Sequence, residues 1–405
     1  MKINTDKNKV DEILDRGTIV QILPTKKEFR AKLLSGERLS FYIGFDATAP
    51  TLHLSHAKNF ILLEKFRKLG HEVIVLFGDF TARIGDPTGE STARKQLTRD
   101  DVTENVKKWK SLIKPLMNFD DQNNPPLIKY NHDWLSKLNF EDIINLAGKF
   151  TVQQMLERDM FEKRLKEEKP IHLHEFLYPL MQGYDSVAMN VDVELCGTDQ
   201  IFNALAGRTL LKKINNKEKF VVTVTLMENP KTGELMSKSK GVGVFLDVSA
   251  NDLYGQVMAQ PDEMIEILFV NLTNLPSSEI LELVTSNNKR DAKMMLAFEI
   301  TKVFYGDGAA QEAEKNFVQT FQRKELPDDI KLFTTNTDQS IVDVLVASGL
   351  SKSKSDARRT IMQDGVRFDG EKVLEEKANT PLGVFEGERI LQKGKRYFLR
   401  LTSIK

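Results

Sequence analysis

Two of the chain's six histidines, His53 and His56, fall inside one four-residue window of "DATAPTLHLSH" (Asp46 to His56). The window lies where an apolar strand hands over to a helix. A helix N-terminus gathers free backbone N–H groups and positive dipole potential, which suit phosphate. Two imidazoles there can donate hydrogen bonds to a phosphoryl group as its charge rises. Capping with packing is one competing reading and metal ligation another, the latter without a third ligand nearby in sequence. Further on, Tyr178, Gln182 and Asp185 of "YPLMQGYD" are spaced i, i+4 and i+7, so they share one helical face. Their neighbours Leu177, Leu180 and Met181 are apolar, which predicts a largely buried helix whose polar groups need partners, and a polar ligand can supply them. A solvated stripe is the alternative.

In "CGTDQ", Gly197 lets a ligand approach the backbone, while Asp199 and Gln200 can hold ribose hydroxyls or an ammonium group; a plain turn and cap fits as well. In "LMSKSKG", Lys238 and Lys240 can act as point charges on a polyphosphate, with a solvated loop as the other reading. The same Ser-Lys-Ser-Lys recurs at Ser351 to Lys354.

Elements must position these residues. "LSFYIGF" (39–45) predicts a buried strand, "LSHAKNFILLEKFRKLG" a helix stopping at Gly70, and "EVIVLFGD" a second strand. Strand, helix, strand at this spacing is a βαβ unit with a parallel sheet, whose ligands bind at the carboxyl ends of the strands. "DVELCGTDQ" and "KFVVTVTLM" read as further strands, residues 250–325 as mainly helical, and 326–338 as a polar linker.

At 405 residues the chain is too long for one ordinary core, so two or three domains are expected. No apolar run approaches the ~18 residues of a membrane span, and "MKINTDKNKVDEIL" has no apolar stretch of the signal-peptide kind. One cysteine, Cys196, excludes a disulfide framework and a cysteine-rich metal site and suits the cytoplasm. Net charge is zero overall, yet residues 339–405 carry 13 Lys+Arg against 9 Asp+Glu, a surplus of four. Lys352, Lys354, Arg358 and Arg359 crowd the start of one helix there. Cations oppose the dipole at that end, so an external anion explains the cluster; an exposed basic helix start is the bland alternative.

Taken in order, "YIGFDATAPTLHLSH", "GDFTARIGDPTG", "FLYPLMQGYDS", "ELCGTDQIFN" and "MSKSKG" resemble the bacterial tyrosyl-tRNA synthetases of class I, from about residue 35 to the end. His53 to His56 stands at that class's His-Ile-Gly-His signature, and Leu235 to Ser239 at its Lys-Met-Ser-Lys-Ser signature. The resemblance implies an α/β fold: a Rossmann-like parallel-sheet catalytic domain (1–245), an α-helical anticodon-binding domain (246–330) and a small α+β S-four-like RNA-binding domain (339–405). It implies that Tyr42 and Asp185 reach the hydroxyl of bound tyrosine, and that Tyr178, Gln182 and Asp86 hold its ammonium group. Asp46, Thr48, His53 and His56 then surround the ATP phosphates, Gly44, Gly197, Asp199 and Gln200 line the adenosine side, and Lys238, with Lys240, closes on the pyrophosphate. Mg²⁺ arrives with ATP, no other cofactor is implied, and tRNA meets Lys352, Lys354, Arg358 and Arg359. The family is homodimeric and cytoplasmic. Three positions depart from its pattern: Ser55 replaces a glycine, Leu235 a lysine, and Glu90 a frequent lysine. They leave a catalytically impaired, tRNA-binding paralogue as the alternative. The related tryptophan enzyme ranks lower, because Tyr42 with Asp185 favours a phenol over an indole.

Overall fold

The computed structural model describes residues 2–86, 97–235, 243–286, 288–322, 330–385, 387–394 and 397–404. The chain forms two compact units, Met1–Ala310 and Gln311–Lys405.

The first unit is built on a six-stranded sheet: β1 (Ile19–Leu23), β2 (Ser40–Phe45), β3 (Glu72–Phe77), β4 (Leu127–Tyr130), β5 (Val193–Gly197) and β6 (Phe220–Val224), in the order β1-β6-β5-β2-β3-β4. β2 to β6 are mutually parallel, while β1 joins antiparallel at the β6 edge. In β3, "EVIVLF" is β-branched or apolar along its length and buried from Val73 to Phe77, as a parallel strand covered on both faces must be. β2 and β3 pair in continuous register from Ser40 with Glu72 to Phe45 with Phe77. The helix Leu54–Lys68 connects them.

The order of strands reverses between β2 and β5, so their carboxyl ends splay connections to opposite sides and open a crevice. Two strands escape the sequence patterns. β1, "IVQIL", has an exposed Val20 and no clean alternation, and β4 is only the four residues "LIKY".

Within the same unit, helices Ala250–Met258, Ile265–Leu272, Ser277–Thr285 and Lys289–Tyr305 agree with the helical reading of 250–325. Buried Arg16 ties the N-terminal segment to them. Its Nε donates to Val270 O, its Nη1 to Leu275 O and its Nη2 to Thr273 O, each at 2.8 Å.

The second unit holds a five-stranded sheet in the order β7-β11-β10-β8-β9, with β7 at Lys331–Asn336, β8 at Val366–Phe368, β9 at Glu371–Lys372, β10 at Arg389–Lys393 and β11 at Tyr397–Ile404. Val344, Leu345, Ala357, Leu391 and Leu401 form its core. The expected linker is corrected here: Lys331–Asn336 is a strand, parallel to β11. Its threonines and alternating exposure mark a half-solvated edge, which composition alone reads as loop.

Candidate active-site cavity

A cavity of about 1120 Å³ opens at the carboxyl ends of β2 and β5. Tyr42, Gly44, Asp46, Thr48, His53, His56, Asp86, Tyr178, Gln182, Asp185, Gly197, Asp199 and Gln200 all line it. Lys238, Lys240 and Glu90 lie outside the described residues. Leu235 lines the cavity, and further along the chain Val244 O accepts from Leu54 N–H at 3.0 Å while Leu246 N–H donates to Leu52 O at 3.0 Å.

At the Asp185 end, every polar group named is already partnered. Asp185 is 3% exposed, and burial pushes its carboxyl well above the ordinary range against the hydrogen bonds it receives. Trp134 Nε1 donates to its Oδ1 at 2.7 Å, and Asn131 Nδ2 reaches its Oδ2 at 3.4 Å. The Tyr42 hydroxyl shares a 2.8 Å hydrogen bond with Ser186 Oγ, which also accepts from Lys219 Nζ at 2.8 Å. Lys219 forms a buried ion pair with Glu194. Gln182 Nε2 donates to Glu194 Oε1 at 3.2 Å, and Gln182 Oε1 accepts from Asn203 at 2.9 Å. A buried ion pair needs such extra hydrogen bonds to offset its desolvation, and this one holds two cavity side chains in place.

Asp46 stands between the two ends. Thr81 Oγ1 donates to its Oδ1 at 2.6 Å and the Tyr178 hydroxyl to its Oδ2 at 2.8 Å. Gly78 makes this possible, since a Cβ there would stand 2.1 Å from Asp46 Oδ1 and 2.3 Å from Thr81 Oγ1. Desolvation raises Asp46 to about 6. Asp86 accepts from Gln200 Nε2 at 2.8 Å and from Arg158 Nη2 at 3.1 Å.

The histidine end is wired differently. Desolvation lowers His53 to about 4, and desolvation with the neighbouring His53 lowers His56 to about 3. Both imidazoles are therefore neutral near pH 7. His56 Nδ1 accepts from His53 N–H at 3.4 Å, which leaves the ring proton of His56 on Nε2, free to donate. His53 Nδ1 is buried without a partner. Ser55 also lines the cavity, as does Lys58, whose side chain is buried at 3% exposure.

Sequence reasoning missed Asn131, Trp134, Thr81, Arg158, Glu194, Lys219 and Lys58. For Lys58 a signal existed: it falls four residues after Leu54 and three before Ile61, on the apolar face of its helix.

In the second unit, Ser353 caps the helix Lys354–Met362, and the basic cluster is in part already neutralised. Lys354 pairs with Asp343 at 2.8 Å, Arg359 with Asp356 at 2.8 Å, and Arg358 bonds Asn379 at 3.0 Å. The opposition of cations and dipole therefore has an internal remedy as well as an external one.

Among the described residues no cluster of His, Cys, Asp and Glu could hold a metal ion, and no helix is long and apolar enough to cross a membrane.

Comparison with known proteins gives the following. Residues 34–322 match the family of tRNA synthetases class I (W and Y), and residues 319–401 match the tyrosine–tRNA ligase SYY-like C-terminal domain. The chain is 40% identical over 396 residues to a tyrosine–tRNA ligase of Thermotoga maritima, covering 96% of each. It is 39% identical over 393 residues to that of Haemophilus ducreyi, covering 96% of this chain and 97% of the other. A C-terminally truncated mitochondrial tyrosyl-tRNA synthetase of Aspergillus nidulans shares the fold, with a TM-score of 0.65 at 22% identity over 77% of this chain and 94% of that one.

Proposed function

The chain belongs to the class I tyrosyl-tRNA synthetases, and from that premise we propose how its cavity carries out the reaction. The activity is that of a tyrosine–tRNA ligase. Tyrosine is first joined to AMP from ATP, with release of pyrophosphate, and is then passed to a terminal ribose hydroxyl of its tRNA. The observation that carries the site assignment is the convergence of the described amino-acid and nucleotide candidates on one cavity at the switch point of the sheet.

In this reading the phenol of tyrosine meets Asp185 and Tyr42. Both side chains already have protein partners, so the hydroxyl adds to a satisfied set, and a substrate without it forgoes those added hydrogen bonds. Tyr178, Gln182 and Asp86 hold the ammonium group. The tyrosine carboxylate, already anionic near neutral pH, attacks the α-phosphorus. The bond to the bridging oxygen breaks, and pyrophosphate leaves with its electron pair. Neutral His53 and His56 donate to the phosphoryl oxygens as charge builds, beside Thr48 and Asp46. Gly44, Gly197, Asp199 and Gln200 flank the adenosine. A Cβ at Gly197 would lie 2.3 Å from Asp199 Oδ1, so glycine keeps that carboxylate's place open. Lys238 and Lys240 follow the leaving pyrophosphate, a role supported by Leu235, three residues before Lys238, which lines the cavity. Mg²⁺ comes with ATP as part of that substrate. No side-chain nucleophile is required; positioning and charge stabilisation supply the rate.

The impaired-paralogue alternative is not favoured, and the C-terminal match names tyrosine over tryptophan. Segment 246–330 is assigned to the anticodon and 339–405 to further tRNA contact, through Lys352, Lys354, Arg358 and Arg359. A cytoplasmic homodimer is proposed. Exposed Phe140, Ile144, Val152, Leu165 and Leu173, all within one stretch, support a partner surface. Tyrosine-dependent exchange of pyrophosphate into ATP tests the whole reading; folded protein without exchange would refute it.

A further inference from the structure

Lys58 is a charged side chain for which the mechanism above has no use. It sits in the first turns of the helix Leu54–Lys68, two residues past His56, and lines the cavity while 3% exposed. Among the described residues its ammonium makes one hydrogen bond, to the neutral Asn59 side chain at 2.9 Å, and no ion pair. A buried ammonium without a carboxylate is unfavourable, and such groups persist where a ligand supplies the missing charge. Asp199, in the turn after β5, lines the same cavity and acts on Lys58 electrostatically without an ion pair to it. A cation facing a carboxylate acceptor suits a ligand with an anion next to hydroxyl groups.

We propose that Lys58 is a cation of the nucleotide site, contacting the α-phosphate where it joins the ribose and staying on the adenylate after pyrophosphate leaves. This rests on the reading of the cavity as the ATP site. It also explains how the chain tolerates Leu235, a cavity-lining leucine where the signature it resembles has lysine.

The charge state gives the assignment a signature. Desolvation lowers Lys58 to about 7, against the opposing pull of Asp199 and Cys196. Those two groups act on it from β5 and the turn that follows, and Lys58 in turn helps to lower His56 on its own helix. His53 and His56 are neutral well below pH 7 and burial pushes the Cys196 thiol up, while Asp46 titrates near 6; Lys58 variants keep Asp46, so a limb that vanishes with them belongs to Lys58. Lys58 is charged below its pKa, so kcat/KM for ATP falls as pH rises through about 7 in the free enzyme.

The test is pyrophosphate exchange by the full chain as wild type, Lys58→Met and Lys58→Gln, across pH, with thermal melting alongside. Both variants should raise KM for ATP about 10- to 100-fold. They should leave KM for tyrosine unchanged, melt no lower than wild type, and lose the descending limb near pH 7. An unchanged KM for ATP overturns the proposal. So do equal rises in both KM values with a lowered melting temperature, which would make Lys58 a prop for Asn59. The wild-type profile needs no variant, and a flat kcat/KM for ATP through that pH range overturns the proposal as well. Absence of exchange in the wild type removes the ATP site itself, and the Lys58 assignment with it.

Discussion

The two ends of the cavity solve opposite electrostatic problems. At the Asp185 end, Trp134, Asn131, Ser186, Lys219, Glu194 and Asn203 satisfy the polar groups before any ligand arrives. At the histidine end, His53 Nδ1 has no partner and Lys58 has only a neutral one. A pre-satisfied pocket selects by shape and by the hydrogen bonds that a hydroxyl adds, because a wrong ligand disturbs paired groups. An unsatisfied pocket selects by charge and gains most when charge increases along the reaction. In the proposed reading, one cavity sorts amino acids at one end and lowers a barrier at the other.

The largest effect that would break this contrast comes from the histidine end. His56→Ala should lower the exchange rate about 10²- to 10³-fold, as loss of one preorganised donor does, while tyrosine binding by equilibrium dialysis stays unchanged. Matched losses in both would mean the ends are not separate. Next, Asp185→Asn should reduce kcat/KM for tyrosine about 10- to 100-fold and shrink the preference for tyrosine over phenylalanine, with KM for ATP unmoved in the same exchange assay.

Asp46, shared by both ends, gives a smaller, pH-dependent effect. Its folded pKa is raised from 3.8 to about 6, so the native state holds the proton more tightly than the unfolded chain. The wild type therefore loses stability relative to Asp46→Asn as pH rises from about 4 to about 6, and no further above that. Melting temperatures measured from acid to mildly alkaline pH should converge at the acid end; a constant gap would show that burial does not govern this carboxyl.

The smallest effect belongs to neither end. Lys352→Ala with Lys354→Ala should leave exchange unchanged, lower tRNA affinity several-fold and flatten its salt dependence. The loss is modest because Lys354 already leans on Asp343. Lys238→Ala, in the other copy of the same tetrapeptide, should instead cut exchange. Equal effects of the two changes on exchange would erase the division between chemistry and tRNA grip.

Much of the cavity was legible because its groups sit in short polar motifs at the ends of strongly apolar strands. "YIGFDATAPTLHLSH" and "ELCGTDQ" carry both the strand and its cargo. What escaped depends on pairings distant in sequence. Trp134 and Asn131 follow β4, too short and too little apolar to be read as a strand, and the helix His132–Leu135 beyond it is too short to show a pattern. Lys219 and Glu194 become partners only when β5 and β6 lie side by side. Ser186 lies among the cavity helix's apolar residues and gains meaning only from Tyr42 on β2. β7 was taken for linker because its partner, β11, lies at the far end of the chain.

Arg16 and β1 carry a consequence for how the molecule is made. The guanidinium of Arg16 reaches Val270 O across 254 residues of chain, and β1 waits for β6. Synthesis runs from N- to C-terminus, so Arg16 and β1 are made well before the carbonyls of residues 270–275 and the strand β6 that hold them. Throughout that interval β1 offers an unpaired strand edge, the kind that other chains can add to. A nascent chain halted before Phe220 would keep β1 unpaired, open to chaperones and proteases, however well β2 to β5 had already joined, although Asn4 N–H could already meet Leu69 O.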